Sequence, residues 1–240
     1  MSTQLDRIAA KATADRKVRF TSLAHVLTPA FLTETWRQMN RRGASGSDGE
    51  TTQQFERELG TRVQDLCARL KAGTYRAPPV RRVALPKGPG KEGTRPLGIP
   101  TVEARLVQRA VARLLAAVFE ADFLDCSYGF RPGRSPHQAL RALRGTIVTK
   151  KVRPLVEADI RGGVDHINHQ WLRQMVAHRL AEPVILRLIG KGLRAGVMPG
   201  GVVTRTEEGT PPGGPSSPVL AHVYLHCVLD LWFEKKFRPL

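Results

Sequence analysis

Apolar side chains recur every three or four residues over several stretches of the chain, and this spacing predicts amphipathic helices. The first stretch runs from about Ser22 to Arg42, with a turn that starts at Pro29. The next helix begins near Phe55 and ends at Gly73, a residue type that commonly terminates helices. Further helices are predicted over 107–118, 168–180 and 184–193. A more uniformly apolar helix is predicted over 218–237, and we expect it to be largely buried.

Short runs of strand character lie between the helices. The runs at 80–85 and 95–99 flank the glycine-rich turn "KGPGKEGT", and this arrangement predicts a β-hairpin. The run "RPLVEADI" (153–160) predicts a further strand, which ends at Asp159. Because the helices and strands occupy separate segments, the predicted fold class is α+β.

Capping residues mark the start of two helices. Ser135 is followed by Pro136, which predicts the N-cap and the first residue of a short helix. Asn168 is the predicted N-cap of the helix over 168–180, because its short side chain can accept a hydrogen bond from the first turn. These two positions fix where each helix starts.

Charge indicates the kind of partner. The chain carries 38 Lys and Arg against 21 Asp and Glu, a net charge of +17, and such a field attracts polyanions. Nucleic acid is the favoured partner. Aromatic residues make up only 6% of the chain, so we expect contact with phosphates rather than stacking on bases. The candidate nucleic-acid-binding residues are Arg81 and Arg82 in the hairpin, and Arg131 and Arg134 in "RPGRS".

Other features place the protein in the cytoplasm. The apolar stretches fall well short of the roughly 20 residues that span a bilayer, and the N-terminus lacks the apolar core of a secretory peptide. Cys67, Cys126 and Cys227 show no paired spacing, which favours a reducing compartment over a disulfide framework or a zinc site. We therefore expect no membrane partner, and the oligomeric state stays open.

A basic hairpin, a strand that ends in aspartate and a Pro/Gly loop before a helix follow one another along the chain. Five segments contain these features or flank them: "KAGTYRAPPVRRVALPKG", "RPLGIPT", "FEADFLDCSYGFRPGRSPHQAL", "ADIRGGVDHINHQWL" and "EGTPPGGPSSPVLAHVYLH". In this order, these segments resemble the reverse transcriptases of the maturase type that group II introns encode. The resemblance runs from about residue 20 to residue 240.

The resemblance implies a right-hand polymerase fold. An N-terminal extension and the fingers would occupy residues 1–150. A partial palm would occupy residues 151–240, with the helices at 170–200 packed toward the fingers. The implied function is RNA-directed DNA synthesis in intron mobility and splicing assistance. Its implied partners are an intron RNA template, a DNA primer or target, and deoxynucleoside triphosphates.

The resemblance also assigns roles to individual residues. Lys87 and Arg95, on either side of the hairpin turn, match the positions that bind the triphosphate, and their cationic groups suit phosphate oxygens. Asp159 matches a catalytic metal ligand, which the carbonyl group of Ile160 assists. The implied cofactor is Mg²⁺, which prefers carboxylate oxygens and acts as an ion pair in polymerases.

Three residues depart from the family pattern. Gly163 occupies the place of the first of two adjacent phenylalanines. In "DIRGGVD", Val164 occupies the place of a phenylalanine that lies under the sugar of the nucleotide and excludes a 2′-hydroxyl. In "TPPGG", Pro212 replaces a glutamine that donates hydrogen bonds beside the nascent base pair, and proline has no such donor. Gly213 follows it and still allows a base pair to approach the backbone closely.

The chain lacks an acidic pair that the family carries in its catalytic site. The family carries a Tyr-Ala-Asp-Asp hairpin shortly after the last helix, whereas no Asp-Asp pair occurs in these 240 residues. We therefore expect a domain truncated before that hairpin and inactive as this chain. Two alternatives stay open: a non-catalytic RNA-binding remnant that acts as a maturase-like splicing cofactor, and the reverse transcriptase of a retron or CRISPR-linked system.

Overall fold

The computed structural model describes residues 3–86, 88, 92–152, 155–198, 204, 208–210 and 213–237. The helices in this part of the chain are α1 (Thr3–Ala14), α2 (Pro29–Arg37), α3 (Thr52–Arg57), α4 (Leu59–Ala72), α5 (Val102–Phe119), α6 (Pro136–Lys150), α7 (His169–Arg179), α8 (Pro183–Leu193), α9 (Ser217–Leu225) and α10 (Leu231–Lys236). A 3-10 turn (Ala24–Val26) precedes α2, and a π-helical turn (His226–Asp230) joins α9 to α10.

The strands form one small sheet in the order β2-β1-β3, made of β1 (Val80–Pro86), β2 (Thr94–Ile99) and β3 (Val197–Met198). The predicted hairpin is confirmed, because β1 and β2 pair antiparallel with Val83 opposite Leu97. The sheet also contains β3, which pairs parallel to the start of β1 with Val197 opposite Val80.

Helix α5 is the centre of the hydrophobic core. It packs against α1, α2, α8 and α9, and its buried face includes Leu106, Leu114 and Leu115. It starts earlier than the apolar pattern predicts because the Thr101 hydroxyl accepts a hydrogen bond from the Ala104 amide (3.2 Å). Burying one leucine side chain stabilises a fold by about 1.5–3 kcal/mol, so this face supplies much of the folding free energy.

The predicted helix ends are confirmed. The Ser135 hydroxyl accepts a hydrogen bond from the Gln138 amide (3.3 Å) at the start of α6. The Asn168 side chain accepts one from the Trp171 amide (3.0 Å) at the start of α7. Gly73 ends α4 with a φ of 73°, the left-handed conformation that costs other residues more than glycine.

The predicted strand that ends at Asp159 is not formed. Residues 155–160 pair with no strand in the described part of the chain, and the side chains of Leu155 and Val156 are 63% and 83% exposed. An apolar pattern alone does not make a strand, because the backbone groups of a strand need a partner to bond. The helix after Ser135 also differs from its prediction: α6 is 15 residues long, and none of its residues is buried.

Burial of the final helix is confined to its beginning. Leu220 and Val223 in α9 are buried against the core. His226, which starts the π-helical turn, is buried as well, but Val228 in that turn and Trp232 in α10 are exposed. The prediction of a largely buried helix is therefore wrong beyond His226. Within the described residues, the helices are too short or too polar to cross a membrane. The division into fingers and palm stays a prediction, since α8 and α9 both pack on α5 in one continuous core.

A buried arginine joins three distant segments. The Arg179 guanidinium, at the end of α7, donates to the carboxylate of Asp122 (2.6 Å) after α5. It also donates to the carbonyl groups of Arg16 and Ala12, at the end of α1. Burial raises the pKa of Asp122, and the neighbouring positive charge of Arg179 opposes that shift. The pair therefore fixes α1 and α7 to the end of α5.

We expect Arg179→Met to lower the free energy of unfolding by about 3–5 kcal/mol, because it leaves the half-buried Asp122 carboxylate and two carbonyl groups without their partner. Urea unfolding followed by circular dichroism measures the change. Arg134→Met is the matched control, since Arg134 pairs with Asp125, a residue whose side chain is 98% exposed, and such pairs contribute about 0–1 kcal/mol. Equal losses in the two variants would contradict a special role for Arg179.

Candidate active site

The loop before α9, of which residues 208–210 and 213–216 are described, lies along the turn at residues 161–166, which follows Asp159. The amide of Thr210 donates to the carbonyl of Val164 (3.1 Å), and the amide of Gly209 donates to the carbonyl of Ile167 (2.8 Å). Gly209 has a φ of 77°, and a Cβ atom at this position would lie 2.6 Å from the Asp165 carbonyl oxygen. Only glycine therefore allows this close approach.

The same loop also contacts strand β2. Gly213 has a φ of 89°, and a Cβ atom there would lie 2.3 Å from the carbonyl oxygen of Gly98 and 3.1 Å from Cδ1 of Leu97. A close approach at Gly213 agrees with the expectation from the sequence, but the group that approaches is the protein's own backbone. The hairpin, the turn and the Pro/Gly loop thus meet at one place, which we call the candidate active site.

His169 anchors the loop from the other side. Its Nε2 atom donates to the carbonyl of Gly209 (2.6 Å), so the first turn of α7 holds the loop beside Val164. His166 lies nearer the solvent, with its Nδ1 atom 3.8 Å from a carboxylate oxygen of Glu208. His169 therefore has a structural role at this end of α7, and His166 makes only this surface contact.

Asp159 is exposed and close to the turn, but it is not part of a ligand cluster. Within the described residues, no group of three His, Cys, Asp or Glu side chains could hold a metal ion. The carbonyl of Ile160 accepts a hydrogen bond from the Gly163 amide (3.2 Å), which closes the turn. A lone carboxylate is a poor fit for two Mg²⁺ ions, so the described residues do not by themselves form that site.

The structure describes only some of the predicted nucleotide-binding residues. Lys87 and Pro212 lie outside the described residues, and for Arg95 the structure describes the backbone, which pairs with Leu85 in the hairpin. Val164 is described, and its side chain is 42% exposed on the surface of the turn. The roles implied for these residues stay predictions.

The structure gives Arg131 an internal role in place of the predicted contact with nucleic acid. Its Nε and Nη2 atoms donate to the carboxylate of Glu120 (3.0 and 2.8 Å). Its Nη1 atom donates to the carbonyls of Leu124 and Ser127 (2.6 and 2.7 Å). With these bonds made and the side chain buried, the guanidinium is not available to a phosphate.

The other predicted nucleic-acid-binding residues keep access to solvent in different degrees. Arg134 pairs with Asp125 (2.7 Å) at the surface. Along β1 the side chains alternate between faces, so Arg82 is exposed whereas Arg81 is half-buried. A phosphate can therefore reach Arg82, while Arg81 and Arg134 are both half-buried and offer less of their side chains.

Sequence reasoning missed a basic surface on α6. Arg141, Arg144 and Lys150 are all exposed on this helix, and Lys151 follows them. No Asp or Glu occurs from residue 126 to residue 156. This run without acidic residues could have indicated the basic surface, because counting the charges of each segment requires only the sequence.

His222 and His226, four residues apart at the start of the last helical segment, do not act as a metal pair. The Nε2 atom of His222 is hydrogen-bonded to the Ser127 hydroxyl (2.7 Å), and its ring stacks on Phe123 with centroids 3.9 Å apart. Burial lowers the pKa of His222. The Nδ1 atom of His226 faces the Asp230 carboxylate at 3.6 Å. Both rings therefore pack the end of α5 against α9.

We expect Gly213→Ala to destabilise the protein more than Gly49→Ala. Both glycines have a positive φ, which costs an alanine about 1–2 kcal/mol, but a Cβ atom at Gly49 would meet nothing within 4 Å. The additional loss at Gly213 is the overlap with Gly98. Urea unfolding gives the two losses, and amide hydrogen exchange at Thr210 reports whether the loop has left the turn. Equal losses and unchanged exchange would show that the loop does not depend on this contact.

Comparison with known proteins gives the family. Residues 85–237, which include β2, the turn and the loop, match the family described as reverse transcriptase (RNA-dependent DNA polymerase). The group II intron-encoded protein LtrA of Lactococcus lactis subsp. cremoris is 35% identical over 226 residues, which cover 92% of this chain and 37% of LtrA. Protein YkfC of Escherichia coli (strain K12) is 34% identical over 227 residues, which cover 92% of this chain and 59% of YkfC.

This chain therefore spans less than two thirds of the length of either relative. Among solved structures, a chain titled "Partial Cas6-RT-Cas1--Cas2 complex" superposes with a TM-score of 0.55 and 21% identity, and the match covers 88% of this chain and 34% of that chain. An identity this low shows a shared fold alone. The family match covers β2, the turn and the loop of the candidate active site and more than half of the chain. This α+β chain is therefore a reverse transcriptase domain of the right-hand polymerase fold and belongs to the reverse transcriptase (RNA-dependent DNA polymerase) family.

Proposed function

We propose that this chain supplies the RNA-directed DNA polymerase domain of a group II intron-encoded protein, which copies an RNA template from a DNA primer. One observation carries the proposal. The hairpin, the turn after Asp159 and the glycine loop come together through contacts at Gly209 and Gly213 that only glycine allows. These are the segments through which the chain resembles intron-encoded reverse transcriptases, and they are brought to one place from positions far apart in the sequence.

In this proposal each segment binds a different part of the substrate. The loop at Gly213, held on β2, is a rigid surface beside which the templating base pair lies. Lys87 and Arg95 bind the triphosphate from the hairpin, and their charges suit it. Val164 lies under the sugar, where its small side chain leaves room that a phenylalanine would fill. Mg²⁺ is the proposed cofactor, with the Asp159 carboxylate and the Ile160 carbonyl as two of its ligands.

The alternative of a non-catalytic RNA-binding remnant is favoured by the residues that depart from the family pattern. Gly163 and Val164 lack the aromatic rings of their counterparts, and Pro212 lacks the amide donor. A retron or CRISPR-linked enzyme has weaker support. The chain of the Cas6-RT-Cas1--Cas2 complex shares 21% identity, whereas the intron-encoded protein LtrA shares 35% over nearly all of this chain.

We propose that RNA binds mainly through phosphate contacts on the exposed basic surface of α6. The helix presents Arg141 and Arg144 without a neighbouring acidic residue, and Lys150 and Lys151 extend the charge at its end. Phosphate contacts carry no sequence information, but they provide most of the affinity for a nucleic acid. The template would thus bind whether or not polymerisation follows.

We expect the affinity for a structured RNA to fall steeply with salt, with a slope of about 0.7–0.9 in log–log form for each neutralised phosphate. Fluorescence anisotropy at several salt concentrations gives the slope. Arg141→Gln and Arg144→Gln should each reduce the steepness of this slope by about 1. Arg131→Gln is the control: its buried side chain should change stability and leave the slope unchanged. A flat salt response, or an equal effect of all three variants, would rule out the α6 surface.

We expect no primer extension by the 240-residue chain alone, because the described residues form no group of three ligands around Asp159, and a two-metal site needs about three carboxylates. The assay uses an RNA template, a DNA primer, deoxynucleoside triphosphates and magnesium, with Asp159→Ala as the control. Extension by the parent chain that Asp159→Ala abolishes would show that these residues complete the site by themselves.

A chimaeric protein distinguishes the proposal of an active polymerase domain from the alternative of a non-catalytic RNA-binding remnant. These residues replace the matching 226-residue region of LtrA, so that the rest of that protein is present. The polymerase proposal predicts extension that Asp159→Ala abolishes. A chimaera that folds and binds RNA but does not extend the primer would favour the remnant.

A further inference from the structure

A surface cleft lies between α7 and α8, and the space in it that is open to the centre of a water-sized sphere is about 480 Å³. Helix α8 contributes Leu186, and Arg194 lines the cleft just after the end of that helix. Four residues of α7 line it as well, and their spacing of three and four positions places them on one face of the helix. They are Gln170, Arg173, Gln174 and Ala177.

The α7–α8 cleft carries positive charge that no acidic side chain offsets. Arg173 and Arg194 are exposed, and neither makes an ion pair with another described residue. Glu182 is the only Asp or Glu from residue 166 to residue 206. It is buried at the start of α8, where its side chain caps the helix. The two guanidinium groups are therefore available to an anion from solvent.

The donors of the cleft suit a chain of phosphates. A guanidinium group binds phosphate oxygens with two hydrogen bonds, and the amides of Gln170 and Gln174 can donate further ones. A third guanidinium lies beside the cleft, because Arg19 donates to the carbonyl of Ala177 (3.1 Å). Helix α7 rises by about 1.5 Å per residue, so the lining from Gln170 to Ala177 is about 10 Å long. Donors spread over this length fit repeated phosphates better than a single anion.

An exposed tryptophan beside the cleft indicates which form of nucleic acid fits. The side chain of Trp171 is 57% exposed, and it stacks on no other aromatic ring among the described residues. It lies three positions before Gln174, and residues at this spacing are neighbours on the surface of a helix. The bases of a duplex are stacked on one another, whereas those of a single strand can stack on an aromatic side chain. The cleft therefore favours a single strand.

We propose that the α7–α8 cleft binds single-stranded nucleic acid, with phosphates on Arg173 and Arg194 and a base stacked on Trp171. His169 also lines the cleft and bonds the carbonyl of Gly209, so the cleft adjoins the loop of the candidate active site. This site is separate from the basic surface of α6. It goes beyond the proposed function, because binding in the cleft needs neither deoxynucleotides nor metal.

Tryptophan fluorescence tests the stacking with the cleft unaltered. The chain has three tryptophans, of which Trp36 is only 1% exposed. In the variant Trp232→Phe, Trp171 is thus the one exposed tryptophan. We expect an RNA oligonucleotide that forms no base pairs to quench its emission, and the same sequence in a duplex to leave that emission nearly unchanged. No quenching, or equal quenching by the two probes, would overturn the proposal.

The salt dependence of binding tests the phosphate contacts. We expect Arg173→Gln and Arg194→Gln each to reduce the steepness of log affinity against log salt by about 0.7, the contribution of one phosphate of a single strand. Fluorescence anisotropy with the same single-stranded RNA gives the slopes. Arg37→Gln is the control, because Arg37 is exposed at the end of α2 and makes no ion pair with a described residue. An equal change in all three variants would show only the effect of net charge and would overturn the proposal.

A pair of tryptophan variants completes the test. Trp171→Ala should weaken binding of the single-stranded RNA about tenfold, whereas Trp232→Ala, which removes the other exposed tryptophan, should leave the affinity unchanged. Circular dichroism checks that both variants are folded. Equal affinities of the two variants would overturn the proposal. Deoxynucleotides are absent from these assays, so RNA binding in the cleft would stand even if primer extension contradicted the proposed function.

Discussion

The close approach of the loop at Gly209 and Gly213 to two other pieces of backbone is the constraint on which the candidate active site depends. One glycine lies against the turn that follows Asp159, and the other lies against strand β2. A side chain at either position would separate the segments, since both Cβ atoms would overlap a carbonyl oxygen. The loop then leads into α9, whose Leu220 and Val223 are buried in the core around α5. The core thus sets the position of the loop, and the loop sets the geometry of the site.

Local features of the sequence predicted much of the fold. The caps at Ser135 and Asn168 and the left-handed Gly73 are decided by residues next to one another, so the sequence identifies them. The hairpin was predictable for the same reason. The sequence also predicted a close approach at Gly213. It could not name Gly98 as the partner, because that contact joins residues more than a hundred positions apart and is made only when the core forms.

Features that depend on distant partners were not predictable in this way. The apolar run 155–160 has the composition of a strand, but within the described residues no strand pairs with it. Arg131 lies in a basic loop, yet its guanidinium is buried on Glu120 and two carbonyl groups. Burial is decided by which segments meet, and a residue's type gives only a weak indication of it. The basic surface of α6 follows from the same fact, since exposure makes its charge available.

The most direct test of the candidate active site is photocrosslinking of an RNA–DNA template–primer duplex that carries a photoreactive base at the primer end. Peptide mapping by mass spectrometry then locates the attached residues. We expect crosslinks in the turn at 161–166, in the loop at 208–214 and in the exposed part of the hairpin around Arg82. Crosslinks confined to α1–α4, with these three segments unlabelled, would contradict the site.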